Sequence, residues 1–375
     1  MGIFKRRGKG RDVALGTICF LIAFTAGLMY IQMTAVTANP LAKLSIQYLF
    51  EDPIIDQTKP LFQEQDDTSV DVYETTNSYH QVIDLEADYT ALPRDVDLRN
   101  VSLPVFMIGN KSMCDSQVEI LVYIQSAWEN FLKRRSLRRT WASSRRVLGK
   151  RVKTFFILGR PKNINDQVRI NNEQLLHGDI IEGDFIDSYQ NISIKSVIAL
   201  SWTIRLCSHV KYVIKSDDDI FVNLFNVIDN VLPGMSHDTT SLACHVKEAG
   251  TSPIVRDSAS KWYIPSNVFP NMTYLPRFCS GYFVVMTYKT VKKLFNQSKK
   301  YPLIDVDDVY IFGQLTQNTG IKFIDIRSNL TLSDAEGVRS YKKRERRYLG
   351  VGVSGTNSME ELWGLTLQEQ EEQNM

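Results

Sequence analysis

Short apolar runs of strand length alternate with longer helix-like stretches through the chain from Glu119 onward. The first two runs are Ile120–Ile124 and Val152–Leu158, and the longest helix-like stretch, about Ser193 to Cys207, carries apolar residues at helical spacing. Strands that alternate with helices favour a mainly parallel sheet between layers of helices. The sequence therefore predicts an α/β sandwich, in which ligands bind beyond the carboxyl ends of the strands.

Four later apolar runs complete the predicted sheet. They are Tyr212–Lys215, Ser241–Val246, Tyr282–Met286 and Ile321–Ile326. With 375 residues, of which 43% are hydrophobic and 23% charged, the chain has ordinary globular composition. This length allows one sizeable domain with accessory segments.

An uncharged stretch, Val13–Met33, lies close to the N-terminus. In a helix that rises about 1.5 Å per residue, a stretch of this length matches the roughly 30 Å hydrocarbon core of a bilayer. Basic residues precede it at Lys5, Arg6, Arg7, Lys9 and Arg11. Because basic flanks stay on the cytoplasmic side, the rest of the chain is predicted to be lumenal.

This arrangement is typical of an uncleaved signal anchor, with residues 1–12 as a cytoplasmic tail and residues 13–33 as the transmembrane helix. The alternative is a cleaved signal peptide, for which Val36–Ala38 offers a small-residue cleavage site. The apolar run is longer than the usual signal-peptide core, which favours the anchor. Residues 34–115, with polar runs and scattered prolines, are predicted to form a stem.

Potential glycosylation sites and cysteines agree with a lumenal body. Asn-x-Ser/Thr sites occur only downstream of the uncharged stretch, at Asn100, Asn110, Asn191, Asn271, Asn296 and Asn329. The cysteines beyond the stretch are Cys114, Cys207, Cys244 and Cys279. Four cysteines suit two disulfides in an oxidising compartment, with three possible pairings, and buried free thiols are the alternative.

The charge distribution excludes nucleic acid as a partner. The formal net charge is +2, and much of the basic excess lies in the short block before Val13. The rest of the chain is close to neutral, whereas a nucleic-acid-binding domain carries a basic footprint.

Three consecutive carboxylates, Asp217-Asp218-Asp219, directly follow the predicted strand Tyr212–Lys215 and precede the apolar run Ile220–Val222. Crowded carboxylates repel one another unless a cation relieves the repulsion, and their oxygens suit Mg²⁺ or Mn²⁺. A divalent ion there would neutralise the charge of a leaving diphosphate. A solvated acidic turn is the alternative, but the apolar flanks on both sides favour the metal site.

Two further groups of charged residues are candidate site residues. Asp307-Asp308 opens the helix-like stretch Val309–Leu315, where acidic residues also serve simply to favour the positive end of a helix. The segment Arg134–Trp141 is strongly basic and ends in an aromatic residue. It is a candidate for binding phosphate or stacking a base, and an ordinary basic helix face is the alternative.

In this order along the chain, these segments resemble the β1,3-galactosyltransferase-like family of inverting GT-A type glycosyltransferases. The resemblance covers about Glu119 to Ile326. Its pieces are Arg134–Trp141, Phe155–Gly159, His177–Ile181, Asp184–Asn191, Lys195, Trp202, Cys207, Tyr212–Val222, Arg256-Asp257, Lys261–Tyr263, Cys279–Gly281 and Asp307–Val309. It implies a GT-A type, Rossmann-like sandwich, with a catalytic domain at residues 116–335 and a C-terminal extension at residues 336–375.

The resemblance also implies roles for individual residues. The acidic triplet matches the Asp-x-Asp motif of the family, so Asp217 and Asp219 are expected to bind Mn²⁺ or Mg²⁺, with Asp219 contacting the ion. Asp308 matches the acidic residue taken to be the general base. The residues expected to bind the donor are Arg135, Arg138, Trp141 and Asp218. The residues expected to line the wall near donor or acceptor sugar are Lys261, Trp262 and Gly281.

The chain departs from the family pattern in two places. Many relatives carry Gly-x-Gly-Tyr after the Cys-Ser pair, whereas here Gly281 is followed by Tyr282 and Phe283. Phenylalanine at that point is expected to narrow the sugar pocket or to shift the backbone. No histidine follows His245, so a C-terminal histidine ligand is not available and diphosphate oxygens and water would complete the metal coordination.

The resemblance implies a β1,3-glycosyltransferase of the Golgi membrane, of single-pass type II topology, that transfers galactose from a UDP-sugar to a glycan on protein or lipid. Transfer of N-acetylglucosamine or N-acetylgalactosamine is the alternative activity. A catalytically silent lumenal partner or chaperone of another transferase, and an adhesion or receptor ectodomain, are alternatives from other classes. The intact acidic residues Asp217, Asp219 and Asp308 favour the enzyme.

Overall fold

A computed structural model describes residues 106–108, 113–345 and 348–373. All of them belong to the unit that extends from Asp88 to Met375. The predicted tail and membrane helix, residues 1–33, and nearly all of the predicted stem lie outside the described residues, so these assignments stay predictions. Within the described ranges, no helix is both long enough and apolar enough to cross a bilayer.

Strands and helices alternate along the described chain, as the apolar runs predict. The strands are β1 (Phe106–Ile108), β2 (Ile120–Gln125), β3 (Arg146–Val147), β4 (Lys150–Arg160), β5 (Ile180–Ile186), β6 (Tyr212–Asp217), β7 (Ile220–Val222), β8 (Ser241–Lys247), β9 (Phe278–Thr287), β10 (Lys322–Asp325), β11 (Leu330–Thr331) and β12 (Gly350–Gly352). The helices are α1 (Phe131–Arg139), α2 (Ile164–His177), α3 (Ile192–Leu206), α4 (Leu224–Asn230), α5 (Tyr288–Ser298), α6 (Asp307–Phe312), α7 (Asp334–Lys343) and α8 (Thr356–Gln373).

The main sheet has the strand order β1-β5-β4-β2-β6-β9-β8-β10, with β3 paired to β4 at the side. Strands β5, β4, β2 and β6 are mutually parallel, and β10 is parallel to β8. Strand β9 runs antiparallel to both of its neighbours, β6 and β8. The predicted α/β class with a mainly parallel sheet is confirmed. The reversal of β9 was not predicted, because an apolar run gives no strand direction.

Apolar side chains cover both faces of the main sheet, because successive residues of a strand point to opposite sides. On one face, Tyr123 and Phe155 pack under α3, α5 and α6, and the Phe155 ring lies 4.8 Å from the Trp202 ring of α3. On the other face, Val122 and Phe156 pack under α1, α2, α4, α7 and α8. The helices thus sandwich the sheet as predicted.

The chain beyond residue 335 is part of the same fold. The predicted boundary with a C-terminal extension falls inside helix α7, and β12 pairs with both β11 and β7 in a second sheet. Leu349, Val351 and Leu362 are buried in the core of the main domain. The described residues of the predicted C-terminal extension thus pack into the same core, although the three-residue strand β12 gives no periodic pattern in the sequence. The Val353 amide donates a hydrogen bond to the Asp219 carbonyl at 2.8 Å, which links this region to the acidic triplet.

Two disulfides fix the ends of strands and helices. Cys114 bonds to Cys207 at the end of α3, and Cys244 on β8 bonds to Cys279 on β9. Two bridges were expected, and the structure selects one of the three possible pairings. Cys114 lies within the predicted stem, so the folded domain begins earlier than residue 116.

Candidate active site

A cavity of about 370 Å³ opens beyond the carboxyl ends of β2 and β6. Its walls are the segment after β2, residues 125–130, the segment after β5, residues 187–192, and the acidic triplet at the end of β6. Ligands of α/β folds bind at this edge of the sheet. The sheet topology therefore places the triplet where the sequence predicted a site.

Asp218 anchors the triplet to the segment that follows β2. Its carboxylate is 6% exposed and accepts hydrogen bonds from the Ser126 hydroxyl at 2.7 Å and the Asn130 amide at 2.8 Å. The Lys133 ammonium of α1 lies 2.8 Å from its other oxygen. Asp218 was predicted to bind the sugar donor. In the structure, hydrogen bonds from three groups of the protein already occupy this carboxylate. Its contacts hold the turn between β6 and β7 in place.

Asp217 and Asp219 leave oxygens open to the cavity, because their side chains are 37% and 51% exposed. Burial raises the pKa of Asp219, and the charges of Asp217 and Asp218 raise it further, whereas Lys133, 3.4 Å away, acts in the opposite direction. A divalent cation would relieve this repulsion, and the donor atoms are all hard oxygens. The residues present therefore fit Mn²⁺ or Mg²⁺.

Asp308 lies at the start of α6, against the backbone of Gly281 on β9. A Cβ atom at residue 281 would overlap Asp308 Oδ1, so only glycine allows this approach. Burial raises the pKa of Asp308, the Lys215 ammonium and the Gly281 backbone amide lower it, and the charge of Asp217 raises it. Gly281 was predicted as part of a sugar wall; the structure shows that it makes room for the predicted base.

Asp307, the neighbour of Asp308, is a buried residue of the interior. Burial raises its pKa to about 7, and Lys215 acts in the opposite direction. Neither carboxylate oxygen has a hydrogen-bond partner at normal geometry, although the Ser196 hydroxyl faces the group. Asp307 therefore points into the protein, whereas its neighbour Asp308 is partly exposed. This difference supports Asp308 as the residue that can reach a substrate.

The basic segment of α1 lies mostly outside the cavity. Arg138 forms a bidentate pair with Asp179, at 2.7 and 2.8 Å, and its guanidinium stacks over a core phenylalanine. Trp141 is fully buried in the core. Arg135 is half-buried and does not line the cavity. The structure therefore does not bring these predicted donor-binding residues to the cavity, because Arg138 and Trp141 are taken up by packing within the protein.

Arg134, the first residue of the basic segment but not one of the predicted donor-binding residues, supports the cavity from behind. Its guanidinium is fully buried, pairs with Glu173 at 2.7 Å and donates to the carbonyls of Ala127 and Trp128. Those two residues line the cavity. The arginine thus fixes the backbone of the loop that follows β2.

A buried ion pair also forms the opposite wall and was missed as a site feature. Lys195 of α3 lies 2.9 Å from Asp187 and donates to the Ser126 carbonyl at 2.6 Å. Both side chains line the cavity and are almost fully buried. Lys195 is the fourth residue of α3 and was part of the family resemblance, but nothing in the sequence alone paired it with Asp187.

Lys261 and Trp262 stand at the rim of the cavity. The Lys261 ammonium lies 4.5 Å from the Trp262 ring and 5.8 Å from the Tyr189 ring. Tyr189 lines the cavity, and Trp262 is 54% exposed. An exposed aromatic face at a polar rim suits contact with a sugar ring, and the assignment of these residues to a sugar wall stays a prediction.

Phe283, which was expected to narrow the sugar pocket or to shift the backbone, lies in the core. Phe283 is fully buried and packs toward Gly350 of β12. Its side chain does not line this cavity and packs at the contact between the two sheets, so the expected effect on the sugar pocket stays a prediction.

The predicted glycosylation sites differ in accessibility. Asn271 and Asn296 are exposed, and Asn329 is half-buried. The Asn191 amide donates to the Ile186 carbonyl at 2.8 Å next to the cavity. Asn100 and Asn110 lie outside the described residues.

We expect Gly281→Ala to reduce turnover by about 10- to 100-fold, the range typical for disturbing the support of a functional group. The added methyl group would displace Asp308, since it cannot coexist with Oδ1 in its present position. Steady-state turnover of the purified variant measures the effect. Gly364→Ala is the matched control, because a Cβ there meets no atom within 4 Å. Equal activity of the two variants would show that the contact is not needed.

Comparison with known proteins identifies the family. The family model described as Galactosyltransferase matches residues 132–327, about half of the chain. Mouse β-1,3-galactosyltransferase 1 is 32% identical over 219 residues, which cover 58% of this chain and 65% of the mouse protein. Human β-1,3-galactosyltransferase 5 is 30% identical over 212 residues, or 56% of this chain and 67% of the human protein. The matched segment contains the acidic triplet, Gly281 and Asp308, and the chain belongs to the galactosyltransferase family.

Proposed function

We propose that the protein transfers galactose from UDP-galactose to a hydroxyl of a glycan acceptor, forming a β1,3 linkage with inversion at the anomeric carbon. The support for this proposal is that Asp217 and Asp308 both interact with the Lys215 ammonium, so the carboxylates for the cation and for the base lie close together. Open carboxylates at Asp217 and Asp219 fit a cation, and Asp308 lies against Gly281 on the adjacent strand. An inverting transfer needs both a stabilised leaving group and a base for the acceptor.

Different residues of the chain have different roles in this transfer. Asp308 accepts the proton of the attacking hydroxyl, and Gly281 and Lys215 hold that carboxylate in place. Asp217 and Asp219 would hold Mn²⁺ or Mg²⁺, whose charge stabilises the departing diphosphate. Lys195, Asp187 and Arg134 keep the cavity walls rigid. Trp262 and Lys261 offer a surface for the sugar or the acceptor.

The names of the relatives support galactose as the transferred sugar. The mouse and human proteins are named β-1,3-galactosyltransferases. N-acetylglucosamine and N-acetylgalactosamine are the alternative donor sugars. A silent partner of another transferase would not need an open cation site and a base together.

A panel of UDP-sugars tests the proposal. The purified protein is incubated with UDP-galactose, UDP-N-acetylglucosamine or UDP-N-acetylgalactosamine, with a glycan acceptor and with or without Mn²⁺, and released UDP is measured. We expect release that requires acceptor and Mn²⁺ and is fastest with UDP-galactose. Preference for an acetamido sugar would assign the alternative donor, and no release with any donor would favour the silent partner.

We further propose a Golgi membrane location, with the described domain in the lumen. The support is the uncharged stretch Val13–Met33 behind a basic block, together with the two disulfides of the domain. Protease treatment of intact microsomes should leave everything beyond the stretch protected. Digestion of the domain from outside would contradict this topology, and loss of the first 38 residues from the mature protein would favour a cleaved signal peptide.

A further inference from the structure

A lysine is buried between the two halves of the candidate site. Lys215 lies on β6, two residues before Asp217, and is 1% exposed. Its position in register is opposite Tyr123 of β2 on one side and Val284 of β9 on the other. An ammonium group this far from water is costly unless several acceptors surround it. Its partners therefore indicate what it does.

The ammonium group contacts both sides of the site. Lys215 Nζ lies 2.9 Å from Asp217 Oδ1 and donates to the Gly281 carbonyl at 2.5 Å. The buried carboxylate of Asp307 is farther away, at 4.0 Å. If the lysine served only to neutralise Asp307, that contact should be the shortest. The shortest contacts of Lys215 instead go to the Asp217 carboxylate and to the Gly281 carbonyl, next to Asp308.

The contacts of the other two acidic residues of the triplet do not involve this lysine. Asp218 is held by Ser126, Asn130 and Lys133, and the Asp219 backbone is held by Val353. Loss of Lys215 would therefore leave most of the donor side in place. It would free Asp217 and the Gly281 segment to move relative to each other.

We propose that Lys215 is a positioning residue that ties Asp217 to the Gly281 segment and thereby sets the spacing between the bound cation and the base Asp308. The inference rests on the proposed function, because it assigns these two carboxylates to one reaction. Lys215 touches no substrate in this account and acts through the groups it holds.

The test separates this role from charge neutralisation. Lys215→Met alone would leave Asp307 buried without its cation, so it is combined with Asp307→Asn to keep the interior neutral. Replacing a buried ion pair by uncharged groups of similar volume is often tolerated. Asp307→Asn alone is the matched control, since it keeps both short contacts of Lys215. Thermal unfolding, UDP binding with Mn²⁺ by calorimetry, and separate kcat and KM values are measured.

We expect the double variant to fold and to bind UDP and Mn²⁺ like the control, while its kcat is lower by about 10- to 100-fold. The donor KM should change much less than kcat. A double variant with the kcat of Asp307→Asn would overturn the proposal, because charge balance would then be the whole role. An unfolded double variant would also overturn it, since the lysine would be needed for the fold. If the wild-type protein itself transfers no sugar, the proposed function is wrong. That outcome differs from an unchanged kcat or an unfolded double variant, which would overturn only the role of Lys215.

Discussion

Asp308→Asn should cut turnover by about 100- to 10,000-fold, the usual contribution of general acid–base catalysis. The substitution keeps the size of the side chain and its place against Gly281, but it removes the group that accepts the acceptor proton. Donor binding should be nearly unchanged, because Asp217 and Asp219 are not altered. Single-turnover rates with UDP-galactose and calorimetric binding of UDP measure the two quantities separately.

Asp307→Asn is the control for this prediction. Asp307 is buried, its pKa is raised to about 7, and its side chain faces the interior. The turnover of the Asp307→Asn variant should therefore stay close to that of the wild type. If Asp307→Asn loses turnover and Asp308→Asn keeps it, the base has been assigned to the wrong residue. If neither variant loses turnover, both carboxylates are structural.

The pH dependence gives a second view of the same residue. A base must be unprotonated, so kcat/KM should rise with pH through the pKa of Asp308 and then level off. Burial raises that pKa, so the midpoint of the rise should lie above the ordinary aspartate value of about 4. Asp308→Asn should lack the rise, whereas Asp307→Asn should keep it.

Asp219→Ala should lose transfer activity because the variant binds the cation more weakly. A bound metal contributes several kcal/mol to charge stabilisation, and each 1.36 kcal/mol is tenfold in rate, so we expect a loss of about 100-fold or more. The fold should survive, because Asp219 is half exposed and its backbone contact with Val353 does not need the side chain. Mn²⁺ binding and transfer activity are both measured.

Substitution of an aspartate far from the cavity and chelation of the metal serve as controls for Asp219→Ala. Asp238 is 72% exposed and pairs with Lys289 near the start of β8, at the other end of the sheet from the cavity. Asp238→Ala should therefore bind Mn²⁺ and transfer sugar normally. Excess EDTA should inactivate the wild-type protein as Asp219→Ala does. Full activity after verified metal removal would exclude a metal-assisted mechanism.

The sheet could be predicted from the sequence because its strands are buried on both faces. The apolar run marks β2 to within one residue, whereas β4 and β6 extend two residues beyond their predicted runs, because polar residues such as Arg151 and Ser216 belong to the ends of these strands. Strand β9 begins four residues earlier than its predicted apolar run, at Phe278, because Cys279, Ser280 and Gly281 interrupt the pattern. Of these residues, Gly281 lies against Asp308, whereas Cys279 forms the disulfide with Cys244.

The donor-binding residues were harder to predict because packing partners are distant in sequence. Arg138 pairs with Glu173 and Asp179, which follow it by 35 and 41 residues. A basic segment looks the same in sequence whether its charges face a ligand or internal carboxylates. The role of Gly281 was hidden for a similar reason, since Asp308 reaches it only after β9 and α6 have packed together. Lys215 reads as a strand residue until its buried partners are known.

The anomeric configuration and linkage of the transferred sugar distinguish an inverting transfer with Asp308 as the base from the alternatives. The purified protein is supplied with UDP-galactose, whose anomeric bond is α, a glycan acceptor and Mn²⁺, and the product is analysed by nuclear magnetic resonance. We predict a β-linked galactose on a 3-hydroxyl, formed by the wild-type protein and nearly absent with Asp308→Asn. An α-linked product, or equal amounts of β product from both proteins, would contradict the inverting mechanism with Asp308 as the base.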